Sequence, residues 1–168
     1  SNVIPNINGY NNPIVCDSWK ILSGEQQVFG NIAVIGGGMV GCEVAEYLCS
    51  EPKNKVSIIE MDNSIAKGES NTILPTLMDN FTKHNVKIYT NHKVNEIYKD
   101  SILCENDNNE VKIPCDYVVM AIGARPNKFD VDKLLENNIK VVKIGDCKDK
   151  ASDIENAIKT AYDAANEI

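Results

Sequence analysis

Gly36, Gly38, Gly41 and Glu60 are the residues whose types and spacing point to chemistry. The glycines make G-x-G-x-x-G directly after the apolar run 32–35 and directly before a helical stretch at 40–50. In such a loop the first glycine permits the tight turn off a strand. The second lets the backbone approach a pyrophosphate, and the third lets the helix pack close to the sheet. The helix N-terminus then turns free N–H groups and a positive dipole end toward the phosphates. Glu60 closes a second apolar run, 56–59, and follows Gly36 by 24 positions, near the roughly 20 expected for an acid that accepts both hydroxyls of a ribose. A glycine loop alone is weak evidence. Strand, glycines, helix, the break at 51–54, strand and acid in that order read as a βαβ unit that holds a dinucleotide, against a glycine-rich turn in some other α/β protein.

The elements around this unit are predicted from the same patterns. Residues 3–12 read as an extended connector and 13–15 as an edge strand. A short helix at 17–22 is capped by Asp17 or Ser18, with Trp19 and Leu22 facing inward. In the helix after the glycines, Val44, Tyr47 and Leu48 share a face. Beyond the polar loop 61–70, Asn71 or Thr72 caps a helix with Pro75 in its first turn and Leu74, Leu77, Met78 and Phe81 as its core stripe. Residues 86–89 add a third parallel strand. Three short alternating runs, 93–98, 101–105 and 110–113, then form an antiparallel meander in place of a crossover helix. The run 116–122 returns to the parallel sheet, 131–136 is helical, and 139–144 is a further strand. A capping box, Ser152-x-x-Glu155, opens a last helix striped by Ile154, Ala157, Ile158, Ala161, Tyr162 and Ala165. The fold class is α/β, a Rossmann-like parallel sheet with flanking helices and a three-stranded antiparallel meander as one crossover.

Composition narrows the partners. The chain has 168 residues and a formal net charge of −7, which argues against nucleic acid and against an anionic membrane, since both need a basic surface. No apolar run approaches a membrane span. No basic-then-apolar leader opens the chain, and Ser1-Asn2 reads as the scar of a removed tag, so a piece of a longer protein is expected. Six cysteines without a C-x-x-C pair read as small buried hydrophobes in a reduced, cytoplasmic chain. His84 and His92 lack partners at ligand spacing and receive no role.

Three motifs together carry a family resemblance: V-I-G-G-G-M-V-G-C-E-V-A at 34–45, A-I-G-A-R-P-N at 121–127 and I-G-D-C at 144–147. The chain resembles flavoprotein reductases with two dinucleotide-binding domains, the group of NADH oxidases and pyridine nucleotide-disulfide oxidoreductases. In particular it resembles the C-terminal part of old-yellow-enzyme-type NADH:flavin oxidoreductases such as 2,4-dienoyl-CoA reductase and enoate reductase. The resemblance implies a connector from the flavin domain at 1–29, an NAD(P)-binding domain at 30–138 and a terminal piece of the flavin domain at 139–168. It implies that Gly36, Gly38, Met39, Val40 and Gly41 hold the pyrophosphate, that Glu43 faces the nicotinamide carboxamide, and that Glu60, with Met61 beside it, takes the adenosine ribose. Val94 would lie near the adenine, Gly123 would close over the nicotinamide side, and Asp146 would hold the flavin ribityl-phosphate.

The implied cofactors are NAD(H), with FAD in the intact protein. The implied partners are the rest of the flavin domain and a substrate domain. The first G-x-G-x-x-G of the family, its redox cysteine pair, its iron–sulfur cysteines and its FMN barrel are absent from this sequence, so a chain that binds a nucleotide but catalyses little alone is expected. Glu60 and Asp62 favour NADH over NADPH, because carboxylates repel a 2′-phosphate. Open alternatives are a nucleotide-sensing module without catalysis, a methyltransferase, whose glycine loop also follows a strand, and a glycine loop that holds FAD instead. Glu43 as a carboxylate favoured by the helix dipole and Glu60 as a solvated strand-end acid are open readings as well.

Overall fold

The computed structural model describes residues 6–126, 130–137, 139–148 and 151–167. Ser1, Asn2 and Asn127, singled out in the sequence, lie outside the described residues. The chain divides into two units, 4–123 and a C-terminal one of 124–168 with residues 1–3.

The larger unit is built on a five-stranded parallel sheet in the order β1-β8-β2-β3-β4. These strands are β1 Val15–Asp17, β2 Asn31–Ile35, β3 Lys55–Ile59, β4 Lys87–Tyr89 and β8 Tyr117–Met120. Between β4 and β8 the chain makes a separate antiparallel sheet of β5 Lys93–Ile97, β6 Ser101–Asn106 and β7 Asn109–Pro114. The expected meander therefore stands where a crossover helix would. Asp107 and Asn108 turn β6 into β7 with φ of 46° and 64°, the left-handed pair that a two-residue hairpin requires.

Strand β2 shows why its sequence is apolar throughout. Ile32 and Val34 belong to the core that α2 Met39–Cys49 and α3 Leu74–Lys83 cover, while Ala33 and Ile35 face a second core with Ile97, Ile102, Cys104 and Ile113 of the meander. A parallel sheet is stable only with both faces covered, which removes the alternation of a half-exposed strand. The meander supplies that second cover.

Several local expectations need correction. In α1, Ser18–Leu22, Asp17 does cap the helix, accepting from Trp19 N at 2.7 Å. The inward residues are Ser18 and Ile21, with Leu22 against the core, and Trp19 is 49% exposed. Positions i, i+3 and i+4 define the buried face of a short helix, and Trp19 falls about 100° round from it. Tyr47 is exposed for a related reason. Gly41, Cys42, Val44, Ala45, Leu48 and Cys49 are the buried residues of α2, so small side chains fill the sheet-facing side and the ring stays at its edge. Helix α3 begins after Ile73 with no side-chain cap. The preceding turn is closed instead by Ser70, whose carbonyl accepts from Leu74 N at 3.0 Å. Leu77 and Phe81 are buried as expected, with Leu74 and Met78 partly so.

In the C-terminal unit, α4 spans Asp132–Glu136 and α5 spans Ile154–Asn166. The expected strand at 139–144 is absent among the described residues: it needs a ladder partner, and the described part of this unit contains none. Helix α5 is capped one residue later than expected, by Asp153, which accepts from Asn156 N at 2.7 Å. Its stripe exists but lies open, with Ile154, Ile158 and Tyr162 exposed.

Candidate dinucleotide site

The parallel strands of the larger unit deliver their carboxyl ends to one edge of the sheet, where doubly wound folds bind ligands. Strand β2 ends at Ile35 and the chain turns at once into α2. Gly36 N donates to Ile59 O at 2.9 Å, and Gly36 holds φ of 103°. A Cβ there would lie 2.4 Å from Ala121 O on the neighbouring strand end, so both backbone angle and space demand glycine. At Gly41 a Cβ would lie 1.9 Å from Gly36 O. That glycine is what lets the first turn of α2 rest on the strand end. Gly38 is the N-cap of α2 and provides no side-chain hydrogen bond, which leaves first-turn N–H groups for a ligand.

Glu60 ties this loop to the next strand. Its Oε2 accepts from Gly37 N at 2.6 Å and its Oε1 from Asp62 N at 2.8 Å. Each carboxylate oxygen has two lone pairs, so both keep capacity for a further donor such as a sugar hydroxyl. Gly37, to which sequence reasoning assigned nothing, contributes through its amide. Beside them Lys67 pairs with Asp62 at 2.7 Å, on side chains about half exposed, so the pair adds little stability.

These groups open on a cavity of about 750 Å³, within the roughly 300–1,000 Å³ of small-molecule and cofactor sites. Gly36, Gly38, Met39 and Val40 line its middle, Glu60 and Met61 the β3 end, Val94 the start of the meander, and Gly123 the β8 end. The structure thus brings together eight of the predicted residues. Gly41 serves by packing beneath the loop. Glu43 is exposed on α2 and is not among the lining residues. Asp146 belongs to the C-terminal unit, where its Oδ1 accepts from Ser152 N at 3.0 Å.

Sequence reasoning also missed lining residues. Asn6 and Ile7 reach the cavity because the connector is docked, Asn8 O accepting from Ile97 N at 2.8 Å. His92, given no role, lines the cavity with Lys93. Only the β4–β5 connection, invisible to a local pattern, places it there. Cys42 sits beneath the glycine loop, its Sγ donating to Gly37 O at 3.4 Å, and burial pushes its thiol up to about 11. It packs as an inert thiol. Burial likewise pushes Cys104 up to about 12 and Cys115 up to about 11. All six cysteines are free, no group of three or more metal-ligating side chains occurs among the described residues, and no described helix is long and apolar enough to cross a membrane.

Comparison with known proteins agrees with this arrangement. Residues 1–165 match the family described as pyridine nucleotide-disulphide oxidoreductase. The chain is 47% identical over 165 residues to a bilirubin reductase of Mediterraneibacter gnavus (strain CC55_001C), covering 98% of this chain and 26% of that protein. It is 33% identical over 172 residues to an NADH oxidase of Thermoanaerobacter brockii, covering 99% and 26%. Among solved structures, a 2-naphthoyl-CoA reductase complex superposes with a TM-score of 0.87 at 26% identity, over 100% of this chain and 26% of that one. The chain thus spans about a quarter of the length of these relatives. With the glycine loop, the strand-end acid and the family match in agreement, a module that fits dinucleotide binding in flavin oxidoreductases is what the geometry describes, and the chain belongs to the pyridine nucleotide-disulphide oxidoreductase family.

Proposed function

We propose that the cavity binds NADH and that the module places the nicotinamide for hydride transfer to a flavin in the intact enzyme. The observation that carries this reading is Glu60, which holds Gly37 N and Asp62 N while lining the cavity. An acid fixed in that way accepts ribose hydroxyls and disfavours a 2′-phosphate. The residues fit the ligand: a Cβ at Gly38 or Gly123 would meet nothing within 4 Å, so at both places the backbone itself is open to close approach. Gly36, Gly38, Met39 and Val40 would hold the pyrophosphate above Gly41, Glu60 and Met61 the adenosine ribose, Val94 the adenine and Gly123 the nicotinamide side. Glu43 would meet the carboxamide. When bound, NADH supplies the hydride; the chain's own contribution is orientation, since positioning and electrostatics are what a protein adds to cofactor chemistry.

In the full-length protein the rest of the flavin domain would hold FAD, with Asp146 contributed by the terminal piece at 139–168 and residues 1–29 as the connector into the NAD(P)-binding domain at 30–138. The tail after I-G-D-C supports an old-yellow-enzyme-type reductase with a separate substrate domain, and six free cysteines suit a reduced, cytoplasmic setting. The isolated chain would then turn over poorly.

Gly38→Ala tests the reading. The added methyl meets nothing in the protein, so the melting temperature stays within about 2 °C, while NADH binding weakens at least about tenfold because the methyl occupies the approach to the loop. Unchanged affinity in the variant would remove the loop from the site.

A further inference from the structure

The strand order decides where each part of a bound dinucleotide lies. With β2 between β8 and β3, and β4 beyond β3, a ligand whose pyrophosphate sits at the β2 loop and whose ribose sits at Glu60 extends its base onto the β4–β5 connection. His92 stands in that connection. Its backbone N–H donates to Glu60 O at 2.9 Å, and Asn91 N donates to Asp62 O at 2.8 Å. Histidine and acid are thus carried on one hydrogen-bonded corner.

The ring is held from one side only. Nδ1 lies 2.6 Å from Thr90 O, and the Asn106 side-chain nitrogen Nδ2 lies 3.1 Å from the same ring nitrogen. Tyr89 packs edge-on, with centroids 5.3 Å apart at 68°. A carbonyl oxygen only accepts, so Nδ1 carries the hydrogen, and the neutral ring keeps its lone pair on Nε2. Nδ1 cannot both donate to Thr90 O and accept from Asn106 Nδ2; the shorter contact, to the carbonyl, sets the tautomer, and the Asn106 amide turned with its oxygen toward the ring satisfies both. Nε2 has no hydrogen-bond partner among the described residues, and His92 is one of the residues that line the cavity. The result is a fixed, unused acceptor two residues before Val94. Lys67 and Lys93 share the cavity, but ammonium groups only donate.

We propose that His92 reads the base: its Nε2 accepts a hydrogen bond from the exocyclic amino group of adenine. The assignment rests on the cavity being the dinucleotide site, and it predicts discrimination by the base itself. A site that supplies an acceptor for an N–H rejects an analogue that presents an oxygen there, because two acceptors then face each other.

The test is calorimetric titration of the chain with NADH and with its deamino analogue, in which hypoxanthine replaces adenine. Wild type favours NADH by about tenfold, the scale of one hydrogen bond lost. His92→Phe keeps a ring against Tyr89 and brings the two affinities within about twofold of each other. His92→Gln, which retains an acceptor, keeps part of the preference, an outcome that a purely structural role would not produce. Equal binding of both dinucleotides by wild type overturns the assignment, as does a His92→Phe variant that weakens both and preserves their ratio. If wild type binds neither, the dinucleotide reading falls and the assignment falls with it.

Discussion

Glu60→Ala weakens NADH and narrows its advantage over NADPH. In the native chain Gly37 N and Asp62 N hold the Glu60 carboxylate in place, and on the proposed reading its remaining lone pairs accept the ribose hydroxyls. Hydrogen bonds to a charged group are worth about 1.5–3 kcal/mol each, so NADH affinity falls roughly ten- to a hundredfold. NADPH loses less, because the substitution also removes a carboxylate that repels its 2′-phosphate, and Lys67 and Lys93 line the same cavity. Parallel affinity measurements on the variant decide the point. An unchanged ratio would make Glu60 a structural clamp on the loop and nothing more.

Gly41→Ala acts on both nucleotides alike. The new Cβ would lie 1.9 Å from Gly36 O, and that neighbour is backbone at the turn itself, which cannot rotate away. Helix α2 must move off the strand end or the turn must open. Overpacking of this kind costs about 1–3 kcal/mol, and each kcal/mol lowers the melting temperature by about 2–4 °C in a chain of this size. Displacing α2 also displaces its first-turn N–H groups, so NADH and NADPH both bind poorly and their ratio stays near the native one. Melting curves beside titrations separate this result from the Glu60 one. A variant with native stability and native affinity would show that the close approach is dispensable.

The contrast between these two residues shows why the central unit was legible in the sequence. Gly36, Gly41 and Glu60 each meet a requirement set by backbone geometry, and such requirements leave residue types at fixed offsets. The meander was legible too, since Asp107 and Asn108 adopt the left-handed angles their types tolerate. What could not be read depended on distant chain. The run 139–144 has strand composition but no described partner in its own unit, and composition alone does not make a ladder. Trp19 and Tyr47 carry large apolar rings yet stay half exposed, because smaller neighbours had already filled the faces against the sheet. His92 looked partnerless because its partners, Thr90 O, Asn106 and the cavity, are assembled only when β4, β5 and β6 are in place.

Parallel calorimetric titration of the chain with NADH, NADPH and FAD decides whether the cavity selects NADH as proposed. The expected result is saturable binding of NADH, weaker binding of NADPH and none of FAD. Binding of FAD alone, or NADPH bound more tightly than NADH, would contradict it.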